Sequence, residues 1–522
     1  MGGRVYIGLD VGTTGVLAAA FDDAGQPHAQ HYREYRCTYP APGWVEQDME
    51  EVWAAICDAL LALTAALNAA GVTVACVGLS SQRGTFALLD DTKQPLAPAI
   101  VWNDNRAAEM EQVLGQRLSP QRYQAATGMP ISGFWSVCKI MWLQQYRRDL
   151  TDRASWIVNG QEYFLYRLGA ESLETDPASQ TLSGMLDIAT LSWSREVCEA
   201  AGIDMSLLPP MGAPGTHVGN VTPAAASQTG LPVGTPLCRG AGDQQCAAVG
   251  AGVVRQGRAE ITMGTSAMMV AHLDNPALVN AHSVYLGGHG IPGKWDVEGG
   301  AFSIGNCLRW WRDNLHAPAS GAEHSGSIYD AMVKQAMSAP PGSRGLIFHP
   351  FFAGQVTPHY DTQVRGGFFG LTLSHDHACM IRALLEGCAC EIRMMGEALH
   401  TSLAGGIDTL MVTGGMARSA MFLQLLADIM NRPLTTLAYS ECSALGAAML
   451  GAVGIGVCGE VESAAEKFVR TGTVIEPSAD RAVFDDVFGT FQDIFRINAR
   501  SGLHQLIHGH HQRIHSFGHE GM

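Results

Sequence analysis

The chain lacks the features that mark secreted and membrane-spanning proteins. Its thirteen cysteines have no paired spacing, which indicates reduced thiols in a cytosolic protein. Cys388-Ala389-Cys390 has the wrong spacing for a zinc knuckle. The longest stretch of small apolar residues, 444–457, is short and contains four glycines, so it predicts a buried helix and turn. The N-terminus enters a predicted strand without an apolar signal core, and we expect a cytoplasmic protein with no membrane contact.

Positive charge is also scarce. Lys and Arg number 33 against 49 Asp and Glu, giving a net charge of −16. Nucleic acid and anionic membranes are therefore not expected partners. An acidic protein that handles an anionic nucleotide would need a bound cation, most simply Mg²⁺.

A P-loop is missing as well. Residues 288–295 resemble one until the last position, where Ser or Thr must reach Mg²⁺ and this chain has Trp295. Any nucleotide site is therefore of another type.

What the chain does contain is an α/β pattern that occurs twice. Its 522 residues, 47% hydrophobic and including 60 glycines, suit two to three domains. Residues 5–21 and 260–272 each predict a strand, a Gly-Thr turn and a second strand, followed by alternating strands and helices. We predict two α/β domains, 1–251 and 252–499, with a cleft between them.

The segment 500–522 is predicted to be a His-rich tail, with six histidines in its last twenty residues. We interpret it as solvated, with adventitious metal binding as the alternative.

The two Gly-Thr turns are candidate phosphate sites. The first contains Asp10, Gly12, Thr13 and Thr14; the second is Gly264-Thr265-Ser266. Glycine lets backbone N–H groups approach an anion closely, and the hydroxyls add donors. Asp10 then becomes a candidate ligand of Mg²⁺, directly or through water. The alternative for Asp10 is an ordinary turn residue.

Near the middle of the chain a carboxylate follows two glycines. The stretch is Arg239-Gly240-Ala241-Gly242-Asp243-Gln244-Gln245, predicted to lie on a short loop. A carboxylate flanked by two phosphate-binding turns suggests phosphoryl transfer to a hydroxyl, with Asp243 as general base. Alternatively, Asp243 caps a helix that starts near Gln245.

Three further polar segments follow predicted strands. They are Gln82-Arg83, Trp102-Asn103-Asp104-Asn105-Arg106, and Thr413-Gly414-Gly415-Met416-Ala417-Arg418-Ser419. The first two would suit sugar hydroxyls, because open α/β sheets bind ligands at strand ends. Alternatively, Asp104 caps the next helix and pairs with Arg106. The third is either an adenosine-binding loop or a strand-to-helix turn.

Taken together, these segments resemble the FGGY carbohydrate kinases over about residues 4–490. The motifs that carry the resemblance are residues 43–48, 102–106, 134–143, 240–244, 264–266, 298–302, 357–360, 365–372 and 414–419. The family has two actin-like or ribonuclease H-like ATPase domains with a cleft between them, and we expect the same fold here.

The resemblance also implies roles by position. Asp243 resembles the family's catalytic base, and Asp10 with Asp243 its Mg²⁺ site. The remaining positions are the phosphate grips Gly12, Thr13, Thr14, Gly264 and Thr265; the adenosine site Gly414, Gly415 and Ser419; and the sugar or polyol pocket Gln82, Arg83, Asp104, Gln244 and Phe302.

The resemblance implies ATP and a small sugar or polyol as substrates, Mg²⁺ as cofactor, and a homodimer as one expected assembly. D-xylulose is the first candidate acceptor. Gln82-Arg83-Gly84 stands where xylulokinases usually have Met-His-Gly, so glycerol, ribulose and an autoinducer stay open as acceptors. The rival classes are an actin-like or chaperone-like ATPase switch and a sugar sensor without activity.

Overall fold

The computed structural model describes residues 3–278, 283–315 and 328–519. We call residues 3–251 the first half and residues 252–519 the second half. The strands of the first half are β1 (Arg4–Val11), β2 (Gly15–Phe21), β3 (Pro27–Glu34), β4 (Glu46–Gln47), β5 (Thr73–Ser81), β6 (Phe86–Leu89), β7 (Ala99–Ile100), β8 (Trp156–Asn159), β9 (Leu186–Asp187), β10 (Ser192–Trp193), β11 (His217–Asn220) and β12 (Pro236–Gly242). Its helices are α1 (Met49–Ala69), α2 (Met110–Arg117), α3 (Pro120–Thr127), α4 (Ser136–Tyr146), α5 (Arg148–Thr151), α6 (Gly160–Leu168), α7 (Pro177–Gln180), α8 (Arg195–Ala201), α9 (Pro223–Thr229) and α10 (Asp243–Gly250).

The second half follows a similar plan. Its strands are β13 (Arg258–Met263), β14 (Ala267–Leu273), β15 (Tyr285–Gly288), β16 (Trp295–Ala301), β17 (Ile347–His349), β18 (Gly367–Phe369), β19 (Thr409–Thr413), β20 (Leu434–Leu437) and β21 (Thr471–Ile475). Its helices are α11 (Ile304–Asn314), α12 (Ile328–Ala336), α13 (His377–Ser402), α14 (Ala420–Met430), α15 (Cys442–Gly454), α16 (Val461–Phe468), α17 (Arg481–Arg500) and α18 (Leu503–His519).

Each half contains one large mixed sheet. The order in the first is β11-β12-β5-β1-β2-β3, and in the second β15-β16-β14-β13-β19-β20-β21. In both, a central strand forms an antiparallel hairpin with the next strand and pairs in parallel with a later one, β1 with β5 and β13 with β19. The predicted repeat of strand, Gly-Thr turn and strand is confirmed.

The two halves exchange a helix. α15, from the second half, packs on β1, β5 and β12 of the first sheet, while α10, from the first half, packs on β13 and β14 of the second. α10 and α15 also pack on each other at very close range, because a Cβ on Gly446 would overlap the carbonyl of Cys246. The predicted buried helix at residues 444–457 is thus the cover of the first sheet.

The outer face of the first sheet is covered by α1. This helix starts at an N-cap, Asp48, whose side chain accepts a hydrogen bond from the Glu50 amide. Among the described residues it is the one helix long and apolar enough to cross a membrane by length and composition. Its apolar side chains, among them Val52, Ile56, Leu60 and Leu63, are buried against the sheet, so it is a core helix here.

Two local predictions are wrong. Asp243 does not lie on a loop, because β12 runs to Gly242 and α10 begins at Asp243. No helix is capped by Asp104; the next one begins at Met110, and the strands before it belong to a small antiparallel sheet.

The solvated-tail prediction also needs correction. Residues 503–519 form α18, and the His504 ring is 3% exposed, 3.5 Å from an Asp361 carboxylate oxygen and beside the Phe495 ring. The start of the tail therefore packs on the second half, and its last three residues lie outside the described part of the chain.

Candidate active site

A cavity of about 580 Å³ lies between the two halves. It is lined by Thr13, Gln82, Arg83, Trp102, Glu111, Pro130, Ile131, Ser132, Phe134, Trp135, Leu182, Asp243, Gln244, Ser266, Met268, Tyr285, Glu298, Phe302, Gln355, Val356, Tyr360 and Thr362. These include the candidate base and all the predicted sugar-pocket residues except Asp104. We call it the acceptor cavity.

Asp243 reaches the acceptor cavity because β12 runs in parallel beside β5 and both strands end at the same edge of the sheet. The glycines before Asp243 allow this close approach. A Cβ on Gly240 would overlap the carbonyl of Leu79, and one on Gly242 would overlap the Arg83 side chain. Asp243 is then the first residue of α10, where the helix N-terminus favours a negative charge.

Burial raises the pKa of the Asp243 carboxyl above its usual range, and the Arg83 guanidinium opposes this rise. The Arg83 Nε atom lies 3.7 Å from Asp243 Oδ1, which also accepts a hydrogen bond from the Gln244 amide at 2.9 Å. A half-buried carboxylate with a nearby cation can accept a proton from an incoming hydroxyl.

Arg83 is fixed by a buried ion pair that joins the two halves. Its Nη1 and Nη2 atoms donate to the two carboxylate oxygens of Glu298 on β16, at 2.6 and 2.7 Å. Gln245 donates to the same carboxylate at 2.9 Å and to Asp296 at 2.8 Å. The Arg83 Nε atom makes no hydrogen bond and lies beside Asp243, so the guanidinium both orients Asp243 by its charge and keeps a free N–H donor.

A chain of amides connects the acceptor cavity to the first Gly-Thr turn. Gln82 donates to Gln47 at 2.7 Å, and Gln47 donates to the Thr13 carbonyl at 2.6 Å. The Trp102 indole donates to the Thr13 hydroxyl at 3.0 Å. Sequence reasoning did not assign a role to Gln47, although it lies in the motif 43–48.

Two amide oxygens in the acceptor cavity have no hydrogen-bond partner, Gln82 Oε1 and Gln244 Oε1, and both are buried. Buried polar atoms are normally paired, so unpaired ones facing a cavity indicate a missing ligand. Oxygen acceptors of this kind suit the hydroxyl donors of a sugar or polyol.

A second cavity of about 350 Å³ adjoins the first, and Thr13 lines both. Its lining is Asp10, Gly12, Thr13, Thr14, Gly15, Leu17, Gln30, Tyr32 and Glu441. We call it the phosphate cavity. The predicted grips Gly12, Thr13 and Thr14 are thus brought together with Asp10. The turn is closed by a 3.0 Å hydrogen bond from the Gly12 amide to the Gly15 carbonyl.

Asp10 and Asp243 suit a divalent cation. Burial raises the pKa of Asp10 to about 7, and the charge of Asp243 adds to the rise. A bound dication relieves the mutual repulsion of two carboxylates. Carboxylate oxygens are also preferred ligands of Mg²⁺. Within the described ranges no group of three or more His, Cys, Asp or Glu could hold a metal. Water and phosphate oxygens would complete the coordination, as is usual for Mg²⁺.

The second Gly-Thr turn lies against the N-terminus of α11. The Thr265 carbonyl accepts hydrogen bonds from the Gly305 and Asn306 amides at 3.0 and 3.2 Å. Gly264 and Thr265 are exposed, and Ser266 lines the acceptor cavity. This turn therefore borders the cleft from the side opposite Thr13.

The predicted adenosine loop follows β19 directly beside the second turn. Thr413 pairs with Thr262 of β13, and a Cβ on Gly414 would overlap the Met263 carbonyl. Gly414 has φ +83°, a conformation that favours glycine. Gly415 has open space around it, and Ser419 is the N-cap of α14.

Asp104 does not line the acceptor cavity. It is fully buried, and its carboxylate accepts from the Val45 amide at 2.6 Å and from Arg106 at 2.7 and 2.9 Å. Arg106 in turn lies over the Trp44 ring. The ion pair that was the alternative interpretation is present, without the helix cap, and Asp104 holds the wall of the site together instead of facing a ligand.

Comparison with known proteins gives consistent matches over nearly the whole chain. The family model described as the N-terminal domain of the FGGY family of carbohydrate kinases matches residues 5–250, and the model of its C-terminal domain matches residues 259–455.

Individual relatives differ in the substrate they are named for. A xylulose kinase of Lactococcus lactis is 27% identical, with 96% of this chain and 98% of the relative covered. A gluconokinase of Bacillus subtilis is 29% identical (91% and 92%), and a glycerol kinase of Myxococcus xanthus is 30% identical (87% and 91%). Among solved structures, a xylulose kinase from Rhodospirillum rubrum superimposes with a TM-score of 0.84 at 26% identity, over 95% of this chain and 99% of that one.

Proposed function

Because the chain belongs to the FGGY family of carbohydrate kinases, we propose that it transfers the γ-phosphoryl group of ATP to a hydroxyl of a small ketose, with D-xylulose as the first candidate and D-xylulose 5-phosphate as the product. The observation that carries this proposal is the position of Asp243. It lies on the acceptor cavity beside two unpaired amide oxygens, and Thr13 joins that cavity to the phosphate cavity of Asp10.

In the proposed reaction Gln82 and Gln244 accept hydrogen bonds from acceptor hydroxyls and orient the one that reacts. Asp243, oriented by Arg83, takes the proton of that hydroxyl as it attacks the γ-phosphorus. The backbone amides of residues 13, 14 and 265 stabilise the negative charge of the phosphates, because the amides of Gly12 and Gly264 are already bonded within the turns. Positioning and electrostatics supply most of the rate in such transfers.

Asp10 and Asp243 would hold Mg²⁺, and the ion when bound supplies positive charge that offsets the charge of the phosphates. Gly414, Gly415 and Ser419 would contact the adenosine. Closure of the halves would exclude water, which Asp243 could otherwise activate.

The identity of the acceptor comes from the relatives alone. Xylulose kinases occur both among the relatives and among the solved structures. A glycerol kinase also occurs among the relatives. Glycerol, ribulose and an autoinducer are the competing acceptors, because the sequence motifs leave them open. We further propose cytoplasmic action, a homodimer, and functional units at 1–251, 252–499 and the tail 500–522.

The rival class is an ATPase switch without an acceptor. Such a switch has no use for unpaired polar atoms beside Asp243. The acceptor cavity, with its unpaired amide oxygens, therefore favours the kinase.

The test is ADP release from Mg-ATP measured with D-xylulose, L-ribulose, D-ribulose, glycerol, L-xylulose and an autoinducer precursor. We expect one acceptor to stimulate ADP release far above the rate without acceptor, D-xylulose first. Equal rates with and without every acceptor would contradict the kinase and favour the switch. Strong stimulation by another acceptor would keep the kinase and reject D-xylulose.

A further inference from the structure

Part of the acceptor cavity is lined by one irregular segment of the second half, residues 355–365, which we call the wall segment. Gln355, Val356, Tyr360 and Thr362 line the cavity. The Tyr360 hydroxyl oxygen is buried and makes no hydrogen bond, so it is available to a hydroxyl of the acceptor. The placement of the wall segment therefore sets where such a hydroxyl can bind.

The wall segment needs support from its surroundings, because Tyr360 has φ +51°. This left-handed conformation is unfavourable for a residue with a Cβ and persists only where the surrounding structure holds it. Before Tyr360 the segment is tied to β16. The Thr357 amide donates to the Gly300 carbonyl at 3.1 Å, and the Gly300 amide donates to the Thr357 hydroxyl at 3.0 Å. Beyond Tyr360, support comes from α17 and α18.

The helix α18 contacts the wall segment through two histidines that are one turn apart. The buried His504 ring has its Nδ1 atom 3.5 Å from Asp361 Oδ2. The Arg365 guanidinium donates from Nη2 to His508 Nδ1 at 3.0 Å. Residues i and i+4 of a helix lie on the same face, so α18 presents both rings to the segment together.

The contact is packed as well as polar. The Phe495 ring of α17 stacks on the ring of His359 in the wall segment, with the centroids 4.5 Å and the planes 19° apart. The same Phe495 ring lies 5.4 Å from the His504 ring. Aromatic rings from α17, α18 and the wall segment are thus in contact in series.

Hydrogen bonds within the wall segment carry these contacts to the cavity. The Asp361 carbonyl accepts from the Gln355 amide at 2.9 Å. Arg365 donates to the Thr362 carbonyl at 2.7 Å. Because Gln355 and Thr362 both line the cavity, a shift of Asp361 or Arg365 away from α18 would move the lining itself.

We propose that His504 and Asp361 are positioning residues, through which α18 holds the wall segment, and with it Tyr360 and Thr362, in place for the acceptor. The proposal rests on the proposed kinase function. It gives the His-rich tail a part in acceptor affinity, although α18 lies beyond residue 455, where the match to the family models ends. Among the described residues that line the phosphate cavity none belongs to the wall segment, so affinity for ATP should not depend on this contact.

The test compares KM for the acceptor, D-xylulose or the one that replaces it in the panel above, with KM for ATP in variants of the full chain. His504→Ala should raise KM for the acceptor by about fivefold, the effect of losing one polar contact, and leave KM for ATP unchanged. His504→Phe keeps a ring beside Phe495 but offers no polar atom to Asp361, and it should show the same loss. His510→Ala is the matched control, because His510 lies exposed on the same helix, and it should change neither KM.

A double-mutant cycle tests the pair itself. Asp361→Asn removes the charge and keeps the Oδ1 acceptor of the Gln363 amide, so the segment retains its own hydrogen bond. It should raise KM for the acceptor as His504→Ala does. The double variant should be no worse than the larger single effect, because both changes break the same contact. Additive effects, or equal rises of KM for the acceptor and for ATP, would overturn the positioning role.

Hydrogen exchange separates failure of this proposal from failure of the proposed kinase function. In His504→Ala the backbone amides of residues 355–363 should exchange at least about tenfold faster than in the parent, while those of the turn at residues 12–15 keep the parent rate. This outcome supports the proposal even where no acceptor is phosphorylated. Unchanged exchange at residues 355–363 would overturn it. Thermal unfolding shows whether His504→Ala is folded, and Asp361→Asn gives the same readout if it is not.

Discussion

The turn between β1 and β2 and the turn between β13 and β14 share a backbone plan, but they are held differently. The first is held by side chains: Gln47 donates to the Thr13 carbonyl, Trp102 to the Thr13 hydroxyl, and Tyr35 to the Gly12 carbonyl. The second is held by main-chain amides of α11 on the Thr265 carbonyl. The first turn is therefore coupled to the acceptor cavity, whereas the second is coupled to the backbone of its own half.

The halves also differ in where they carry charge. Asp10, at the end of β1, lies on the phosphate cavity with a pKa raised to about 7 by burial and by Asp243. In the second half the position two residues before the Gly-Thr turn is Thr262, and the carboxylate of β13, Glu260, is buried where Thr262 and Thr413 donate to it. The two carboxylates of the proposed reaction thus belong to the first half, whereas the second half lines the same cavities with Glu298 and Glu441.

This division predicts that the largest loss of activity comes from a substitution in the first half. Asp243→Ala should lower kcat by roughly 10²–10⁴-fold, the usual range for a general base. Steady-state ADP release with the best acceptor measures this. Asp243→Asn is the matched control for shape and should lose as much, while thermal unfolding reports whether either variant is folded. Near-normal turnover in a folded variant would remove Asp243 from the proposed role.

Asp10→Asn should mainly weaken the binding of the cation. We expect a loss of about 10–100-fold in activity at limiting Mg²⁺, with partial recovery at high Mg²⁺, because a neutral amide is a weaker ligand than a carboxylate. The measurement is kcat as a function of Mg²⁺ at fixed ATP. Thr265→Ala is the corresponding change in the second turn and should leave the Mg²⁺ dependence unchanged. Equal Mg²⁺ dependence in both variants would contradict the division between the halves.

The second half contains buried histidines that are held neutral, and each of them should make folding less favourable in acid. Burial lowers the pKa of His349 from 6.5 to about 4, and its ring donates to the Phe491 carbonyl at 3.0 Å. His272 and His289 are also buried, with pKa values lowered by burial. The unfolded chain binds a proton at His349 below about pH 6.5 and the folded chain does not. Its contribution to stability is therefore full above pH 6.5 and lost between pH 6.5 and 4.

Denaturant unfolding from pH 7 to 4.5 measures this loss, which should be about 1.4 kcal/mol per pH unit from His349 alone. His349→Gln retains a donor and cannot titrate, so its unfolding free energy should fall less steeply than that of the parent. Buried carboxyls whose pKa values are raised, such as Glu391 at about 8, oppose the trend in both proteins. The difference between the two slopes isolates His349, and identical slopes would contradict the prediction.

The smallest expected effect on activity comes from breaking the hydrogen bonds that link the first turn to the acceptor cavity. Gln47→Leu removes the hydrogen bonds of the Gln47 amide with Gln82, Thr13 and Cys37, and should cost about fivefold in kcat/KM for both ATP and the acceptor. Gly305→Ala, which crowds Gly264, should affect kcat/KM for ATP alone. Separate titrations of the two substrates distinguish them. An effect of Gln47→Leu on one substrate only would show that the amide chain does not link the two cavities.

Local patterns in the sequence were sufficient to predict the two hairpins. They were also sufficient to predict that Asp243, Gln82 and Arg83 lie together at strand ends. The loop predicted before Asp243 was wrong because glycine usually weakens a strand, whereas Gly240 and Gly242 are required here for close contact with β5. Asp104 pairs with the Val45 amide, and Arg83 with Glu298, across 59 and 215 residues of chain. No local pattern contains such partners. The role of Gln47 depends in the same way on partners that are distant in sequence, Thr13 and Gln82.

The exchange of helices has a consequence for synthesis of the chain. One face of the first sheet carries Tyr6, Phe21, Cys76 and Cys238, and it is covered by α15 and α16 from residues 442–468. At about 5–20 residues per second, a ribosome needs roughly 10–40 s after residue 251 to deliver that cover. During this time the nascent first half presents an apolar sheet to the cell, and a chaperone able to shield it would raise the yield of native protein.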